Sequence, residues 1–183
     1  MGASAPDWAL QGGEGQEVRL SDLWSRQPLV LVFLRHFGCI FCREQLALLR
    51  QDYPRFTDAG AQIACVGQGA PPVAKAISIL LDLPFPVLTC GDDLRVFDAW
   101  GLKRAGLGQV LGLSVIVRGI GAMVHGHRQS KVVGDGLQMP GTFVVDKQGI
   151  VRFGYRSKNV ADHATNEELL SLIKTLERNR SNG

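Results

Sequence analysis

The sequence predicts one α/β domain with a mixed central β-sheet and helices on both faces. Apolar runs typical of buried strands alternate with amphipathic segments over the first 100 residues, which indicates parallel strands joined by crossover helices. Two further apolar runs flank the turn 147–149, and this hairpin signal adds antiparallel strands. A length of 183 residues with 45% apolar residues is sufficient for one such core.

The individual elements follow from local start and stop signals. The segment 7–26 is turn-rich, and Ser21-Asp22 is a candidate cap for a short helical turn. Strands are predicted over 29–35, 61–67, 86–90, 142–146 and 150–155. Helices are predicted after Cys42 (ending or kinking at Pro54), after Pro71-Pro72 (with the stripe Val73, Ile77, Leu80), after Asp92-Asp93, and after the capping box Thr165-x-x-Glu168.

Residues 103–138 are the exception to this regular order. Apolar residues there keep helical spacing, but glycines interrupt the pattern, and each costs roughly 1 kcal/mol inside a helix. We therefore treat the chain as a single domain, 1–183, with a Gly-rich insertion at about 103–138.

Composition and charge exclude several function classes. The net charge of +3 is spread along the chain, which argues against nucleic-acid binding. The N-terminus has no signal-peptide pattern, and the apolar stretch 110–124 is too short to span a membrane and contains Arg118. Four cysteines are too few for a secreted disulfide scaffold of this size. These observations predict a cytoplasmic protein with no membrane partner.

The strongest motif is the CxxC pair Cys39 and Cys42, which lies between the first long apolar run and a helix. Backbone N–H groups at a helix start favour a thiolate, and Arg35, His36 and Arg43 would add positive charge. We expect Cys39 to be the more accessible, attacking thiolate and Cys42 to be the resolving thiol. The alternative is a pair of buried, inert thiols with arginines at the surface nearby.

A metal site has less support. Zinc needs four ligands, and the CxxC supplies two, so the others would come from the remaining cysteines and histidines: His36, His125, His127, Cys65 and Cys90. The last two cysteines lie in strand-like runs, where a small buried apolar residue is the simpler interpretation. We expect neither a metal nor an organic cofactor.

Met139-Pro140 precedes the predicted strand 142–146. The order of elements matches the thioredoxin-like fold, in which a cis-proline at this place faces the CxxC and leaves the preceding backbone free for a substrate. An ordinary trans-proline in a turn is the alternative. We expect a substrate site formed by residues next to the two cysteines and around the proline: Phe37, Phe41, Met139, Pro140 and Thr142.

Several segments resemble the alkyl hydroperoxide reductase/peroxiredoxin superfamily. Residues 5–10, 18–23 and 30–33 resemble its N-terminal part. Residues 33–43 (FLRHFGCIFCR) resemble, more narrowly, the peroxiredoxin-like 2 branch, whose members carry a CxxC after an Arg-x-Phe-Gly stretch. Residues 134–138, 141–146, 155–158 and 161–162 extend the resemblance over almost the whole chain.

The chain departs from the superfamily pattern P-x-x-x-T-x-x-C. With Cys42 aligned to its peroxidatic cysteine, Arg35 takes the proline position and Cys39 the threonine position. Cys42 is thus in the peroxidatic register, whereas Cys39 is in the attacking register of thioredoxins. The resemblance implies a thiol-based enzyme that reduces peroxides or organic hydroperoxides through a Cys39–Cys42 disulfide, with Arg35 or Arg43 stabilising the leaving oxygen.

The resemblance also implies that thioredoxin or glutathione recycles the enzyme, and an apolar peroxide substrate would place residues 107–124 in a pocket wall. Packed core or an oligomer surface is the alternative for that segment, and a homodimer is compatible with the sequence. Two other functions remain open: a thioredoxin-like protein disulfide reductase, and a non-catalytic redox-sensing or binding module.

Overall fold

The computed structural model describes residues 2–105 and 134–181, with side chains to residue 178. Its strands are β1 (Ala9–Gln11), β2 (Glu17–Arg19), β3 (Leu29–Phe33), β4 (Gln62–Gly67), β5 (Val87–Thr89), β6 (Gly141–Val145) and β7 (Val151–Arg156). Its helices are α1 (Leu20–Trp24), α2 (Ile40–Gln51), α3 (Tyr53–Asp58), α4 (Pro71–Leu80), α5 (Arg95–Ala99) and α6 (Asn166–Ser181).

The described strands form one mixed sheet in the order β2-β1-β5-β4-β3-β6-β7. β3 is central, because it pairs with β4 in parallel and with β6 antiparallel, and all five of its residues are buried. A strand buried on both faces needs apolar side chains at every position, as Leu-Val-Leu-Val-Phe provides. The predicted mixed α/β architecture is confirmed.

Alternate residues of β3 belong to the two halves of the core. Val30 and Val32 pack in the half that contains residues of α2 and α6, whereas Leu31 and Phe33 pack in the half that contains residues of α1 and α5. This division follows from the two-residue side-chain period of a strand. Helices therefore cover both faces of the sheet, and the CxxC lies at the first of these faces.

The N-terminal segment differs from the prediction. It contains the hairpin β1-β2 in place of turns alone, because two three-residue strands are too short to produce a recognisable alternation. The proposed cap at Ser21-Asp22 is wrong, since α1 begins at Leu20. Ser21 instead donates from its backbone N–H and its hydroxyl to the Asp7 carboxylate, at 3.0 Å each.

Two helix ends follow their sequence signals and one apolar stripe does not. α2 ends at Gln51, and Pro54 lies in the first turn of α3. At the start of α6, Thr165 and Glu168 form the predicted capping box. On α4 the buried residues are Ala74 and Ile77, whereas Leu80 is 64% exposed because the helix ends there.

Most of the predicted Gly-rich insertion lies outside the described residues, as do the segment 107–124 and both His125 and His127. The two described ends of the insertion pair with each other. Ala105 N–H donates to the Leu137 carbonyl at 2.6 Å, and Met139 N–H donates to the Lys103 carbonyl at 3.1 Å. Among the described residues, no helix has the length and apolar character needed to cross a membrane.

Candidate active site

The CxxC occupies the start of α2, as its position after a buried strand predicts. Cys39 is the N-cap residue, with φ −71° and ψ 125°, and Cys42 lies one turn further along. Each cysteine is only 1% exposed. The expectation that Cys39 is the more accessible thiol is therefore wrong, because its chain neighbours Phe37, Ile40 and Phe41 are buried with it in one apolar cluster.

Both cysteines are free thiols, and they lie 3.5 Å apart. A disulfide needs an S–S distance of about 2.05 Å and tolerates a narrow range of backbone spacing. The three-residue separation at a helix start brings the two side chains to the same side of α2. The pair is thus already placed for bond formation within one helical turn.

The two thiols differ in acidity. The pKa of Cys39 is lowered to about 6, chiefly by the hydrogen bond from Cys42, and also by the backbone N–H groups of Cys42 and Phe41 and the charge of Arg35; burial opposes this shift. The same hydrogen bond raises the pKa of Cys42, as do burial and the nearby Cys39 charge. Near neutral pH the negative charge therefore lies on Cys39 and the proton on Cys42.

The two arginines of the motif have different surroundings. Arg35 donates from Nε to the Gly136 carbonyl at 2.6 Å, and its charge favours the Cys39 thiolate. Arg43 donates from Nε to the Phe37 carbonyl at 3.4 Å, and its charge acts on His36. The charge of Arg35 thus supports the thiolate.

His36 is fully buried, and its pKa is lowered to about 4 by burial first and then by the charges of Arg35 and Arg43. It is neutral at pH 7, so the expectation that it supplies positive charge is wrong. Its Nδ1 accepts the Gly38 N–H at 3.2 Å, which places the ring proton on Nε2. That Nε2 has no hydrogen-bond partner in the described part of the chain.

The residues expected to bind substrate are all buried: Phe37, Phe41, Met139, Pro140 and Thr142. Phe37, Phe41 and Met139 share one apolar cluster with both cysteines. The Met139–Pro140 bond is trans, which corrects the expectation of a cis-proline. The preceding backbone is not free either, because Met139 N–H is paired with the Lys103 carbonyl of the insertion's other end.

Thr142 lies deeper, on β6, and is 1% exposed. Its hydroxyl accepts a hydrogen bond from Gln45 Nε2 at 3.4 Å, which connects α2 to β6 one turn after Cys42. Thr142 therefore supports the helix that carries the cysteines.

Sequence reasoning missed Gln68, which directly follows β4 and is 1% exposed. Its amide contacts the backbone of Arg35 and of Asp135. Its position in the sequence could have identified it. Gln68 is a polar residue between Gly67 and Gly69, at the end of the strand that neighbours the strand before the CxxC.

The other two cysteines are not thiolates. Burial raises the pKa of Cys65, within β4, and raises that of Cys90 to about 12. Within residues 2–105 and 134–178, no three His, Cys, Asp or Glu side chains are grouped in a way that could hold a metal ion.

Comparison with known proteins places this site in a family. The sequence profile of the AhpC/TSA family matches residues 1–153. Alkyl hydroperoxide reductase E of Mycobacterium tuberculosis is 27% identical over 153 residues, which are 84% of this chain and 82% of that protein. A chloroplastic thioredoxin-like protein of Arabidopsis thaliana, AAED1, is 36% identical over 56 residues, which are only 31% of this chain and 23% of the relative.

Among solved structures, the peroxidoxin BcpB of Mycobacterium tuberculosis superposes with a TM-score of 0.72 at 20% identity, covering 96% of each chain. This likeness confirms the predicted thioredoxin-like fold. The resemblance to the peroxiredoxin superfamily and the predicted enzyme class are confirmed as well. The chain belongs to the AhpC/TSA family, and it is a thiol-based oxidoreductase.

Proposed function

We propose that the protein reduces small hydroperoxides, with Cys39 as the attacking thiolate and Cys42 as the resolving thiol. The observation that carries this assignment is the buried pair itself. A sulfur whose pKa is lowered to about 6 lies 3.5 Å from one that keeps its proton. That division of charge gives a nucleophile and a proton donor within one helical turn.

In the first step the Cys39 thiolate attacks one oxygen of the peroxide. An S–O bond forms, the O–O bond breaks, and the second oxygen leaves as alkoxide or hydroxide, which takes a proton from water. Cys39 becomes a sulfenic acid and the peroxide is reduced by two electrons. The charge of Arg35, which favours the Cys39 thiolate, would stabilise the leaving oxygen.

In the second step the Cys42 sulfur attacks the sulfenic sulfur. The S–S bond forms, the S–O bond breaks, and the hydroxyl leaves as water with the Cys42 proton. The sulfurs need to approach by roughly 1.5 Å from their 3.5 Å separation to reach bonding distance. A dithiol of the thioredoxin class, or two glutathione molecules, would then return two electrons and two protons to the pair.

A small oxidant fits this site better than a protein disulfide. Both cysteines are 1% exposed, and attack on a protein disulfide needs a direct approach of a sulfur that is attached to a large chain. The backbone before Pro140 offers no free strand edge to a peptide, because Met139 N–H already pairs with Lys103. These two observations favour peroxide reduction over disulfide reduction.

His36 would contribute as a neutral hydrogen-bond donor in this reaction. A buried N–H without a partner costs about 1–3 kcal/mol, so such groups are rare in folded proteins. Among residues 2–105 and 134–178, the Nε2–H of His36 has no such partner, and His36 lies three residues before Cys39. An oxygen of the bound peroxide would accept a hydrogen bond from this N–H without any change in net charge.

The test is a coupled assay that follows NADPH oxidation with thioredoxin and its reductase. Hydrogen peroxide, cumene hydroperoxide and insulin are supplied in turn. We expect peroxide-dependent turnover that is lost in both Cys39→Ser and Cys42→Ser, and retained in Cys65→Ala as the matched cysteine control. Insulin reduction without peroxide turnover would instead indicate a disulfide reductase, and no turnover with any substrate would indicate a redox-sensing module.

Single-turnover measurements then assign the two sulfurs. The reduced Cys42→Ser variant should consume one equivalent of peroxide, whereas Cys39→Ser should consume none. The reverse result would make Cys42 the attacking residue, as its register in the family pattern suggests.

A further inference from the structure

A buried glutamine joins the strand before the CxxC to the segment before Pro140. Gln68 Nε2 donates to the Arg35 carbonyl and, at 3.2 Å, to the Asp135 carbonyl, while its Oε1 accepts the Asp135 N–H at 2.6 Å. The two carbonyls can only accept and the backbone N–H can only donate, so these partners determine the orientation of the amide. All the polar atoms of this side chain are therefore engaged.

Arg35 belongs to the same hydrogen-bond network through its backbone and its side chain. Its backbone carbonyl is held by Gln68, and its Nε donates at 2.6 Å to the carbonyl of Gly136, the residue after Asp135. Arg35 is thus held at two points. Gln68 binds its backbone carbonyl, and the segment that Gln68 also binds accepts the hydrogen bond from its Nε. Arg104 adds an ion pair with the Asp135 carboxylate at 2.6 Å.

We propose that Gln68 is a positioning residue, which holds Arg35 beside the Cys39 sulfur by binding the Asp135–Gly136 segment to the end of β3. The proposal rests on the peroxidase function only in that Cys39 is the reacting sulfur. The hydrogen bonds of the Gln68 amide go to the backbone of Arg35 and Asp135, so its effect on the reaction passes through the arginine.

Because Gln68 is buried, the hydrogen bonds of its amide cannot easily be replaced by others. Gln68 is 1% exposed, so water does not readily replace its hydrogen bonds when the amide is removed. Without the amide, the Asp135 N–H and the Arg35 carbonyl lose their partner together. The carbonyl that receives Arg35 Nε then shifts with its segment, and the charge moves relative to the sulfur.

The principal test is the titration of Cys39 in Gln68→Leu, followed by the ultraviolet absorbance of the thiolate and by the rate of iodoacetamide alkylation. We expect the apparent pKa to rise from about 6 towards 7. Such a rise makes the reaction about fivefold slower near pH 6 and leaves it unchanged above about pH 8, where both proteins carry the thiolate. A merely structural role would lower the rate at every pH.

Gln62→Leu is the matched control. Gln62 begins the same strand that Gln68 follows, and its Nε2 likewise donates to a backbone carbonyl, that of Leu23. We expect normal Cys39 titration in this variant. Equal shifts in both variants would overturn the proposal, as would an unchanged titration in folded Gln68→Leu.

A second variant disturbs the contact between Gln68 and the Asp135 segment by a substitution at the surface. A Cβ at Gly134 would lie 2.3 Å from Gln68 Oε1, so we expect Gly134→Ala to displace the amide without removing it; the φ of +87° adds backbone strain at this position. Gly134 is exposed, so this change leaves the core intact if Gln68→Leu fails to fold. We expect the same direction of shift in Cys39 titration; no shift in this variant would contradict the proposal.

A double-variant cycle tests the route through Arg35. In an Arg35→Met background, Gln68→Leu should cause no further rise in the apparent pKa of Cys39. Additive shifts would overturn the proposal. Because titration needs no peroxide, a protein without peroxidase activity but with these shifts would contradict the proposed function and leave the role of Gln68 standing.

Discussion

The Cys42 thiol donates a hydrogen bond to the Cys39 sulfur, and this one contact moves the two pKa values in opposite directions. It is possible because Cys39 is the N-cap of α2 and Cys42 lies three residues on, where the side chains share one side of the helix. The contact both activates one sulfur and keeps the other protonated. This site and its surroundings give four testable predictions.

The first concerns the acidity of Cys39. Its alkylation rate should rise with pH around a midpoint near 6 and level off above about 7.5. In Cys42→Ala the midpoint should move upward by about 1 pH unit or more, because the largest stabilising contact of the thiolate is lost. Cys65→Ala, which removes a buried thiol elsewhere, should keep the original midpoint, and an unmoved midpoint in Cys42→Ala would contradict the assignment.

The second concerns over-oxidation. In the native protein, Cys42 should capture the sulfenic acid before more peroxide reacts, so mass spectrometry should detect the disulfide alone. Without a resolving thiol, Cys42→Ala should gain two and then three oxygen atoms on Cys39 under excess peroxide. Cys90 has its pKa raised to about 12 and should remain reduced in the same samples. Rapid over-oxidation of the native protein would indicate that the two sulfurs do not react with each other.

The third concerns stability and pH at His36. Its pKa is about 4 in the folded protein, against the ordinary histidine value of 6.5 in the unfolded chain, so only the unfolded chain takes up this proton between those limits. The free energy of unfolding should therefore fall as the pH drops from about 6.5 to about 4, by about 3 kcal/mol in total.

Urea denaturation of His36→Asn and of the parent protein measures this contribution, both in a Cys39→Ser background. That background is needed because the Cys39 thiolate adds its own stability, which is lost as the pH falls from 9 through about 6. The parent should lose more stability than His36→Asn over the acidic interval. Parallel curves would show that His36 titrates normally.

The fourth concerns Phe37, which leads into the CxxC. A Cβ at Gly67 would lie 2.5 Å from two ring atoms of Phe37, so Gly67→Ala should displace the ring and destabilise the protein by about 1–3 kcal/mol. Phe37→Leu replaces the ring with a smaller side chain and should relieve part of this loss of stability in the double variant. Thermal or urea denaturation of the four proteins gives the coupling energy, and strict additivity would exclude the clash.

Much of the fold was predictable because its signals are local. The strand Leu29–Phe33 is apolar at every position, and the helix α6 begins with a capping box whose two residues are three apart. The hairpin β1-β2 was missed, since each strand has three residues and its pairing depends on the rest of the sheet. The exposed Leu80 was misassigned because periodicity does not reveal that the last residue of a helix lies outside the core.

The sequence by itself determined that two thiols three residues apart would stand at the start of a helix, after a buried strand and near arginine. Only the tertiary structure decided that both are buried, that Cys39 holds the charge, that His36 is neutral, and that Met139 is already paired. It also brought Gln68 to Arg35 across 33 residues and Gly136 to Arg35 across 101. Acidity and hydrogen bonding depend on neighbours in space, and the spacing of residues along the chain reports only those within a few positions.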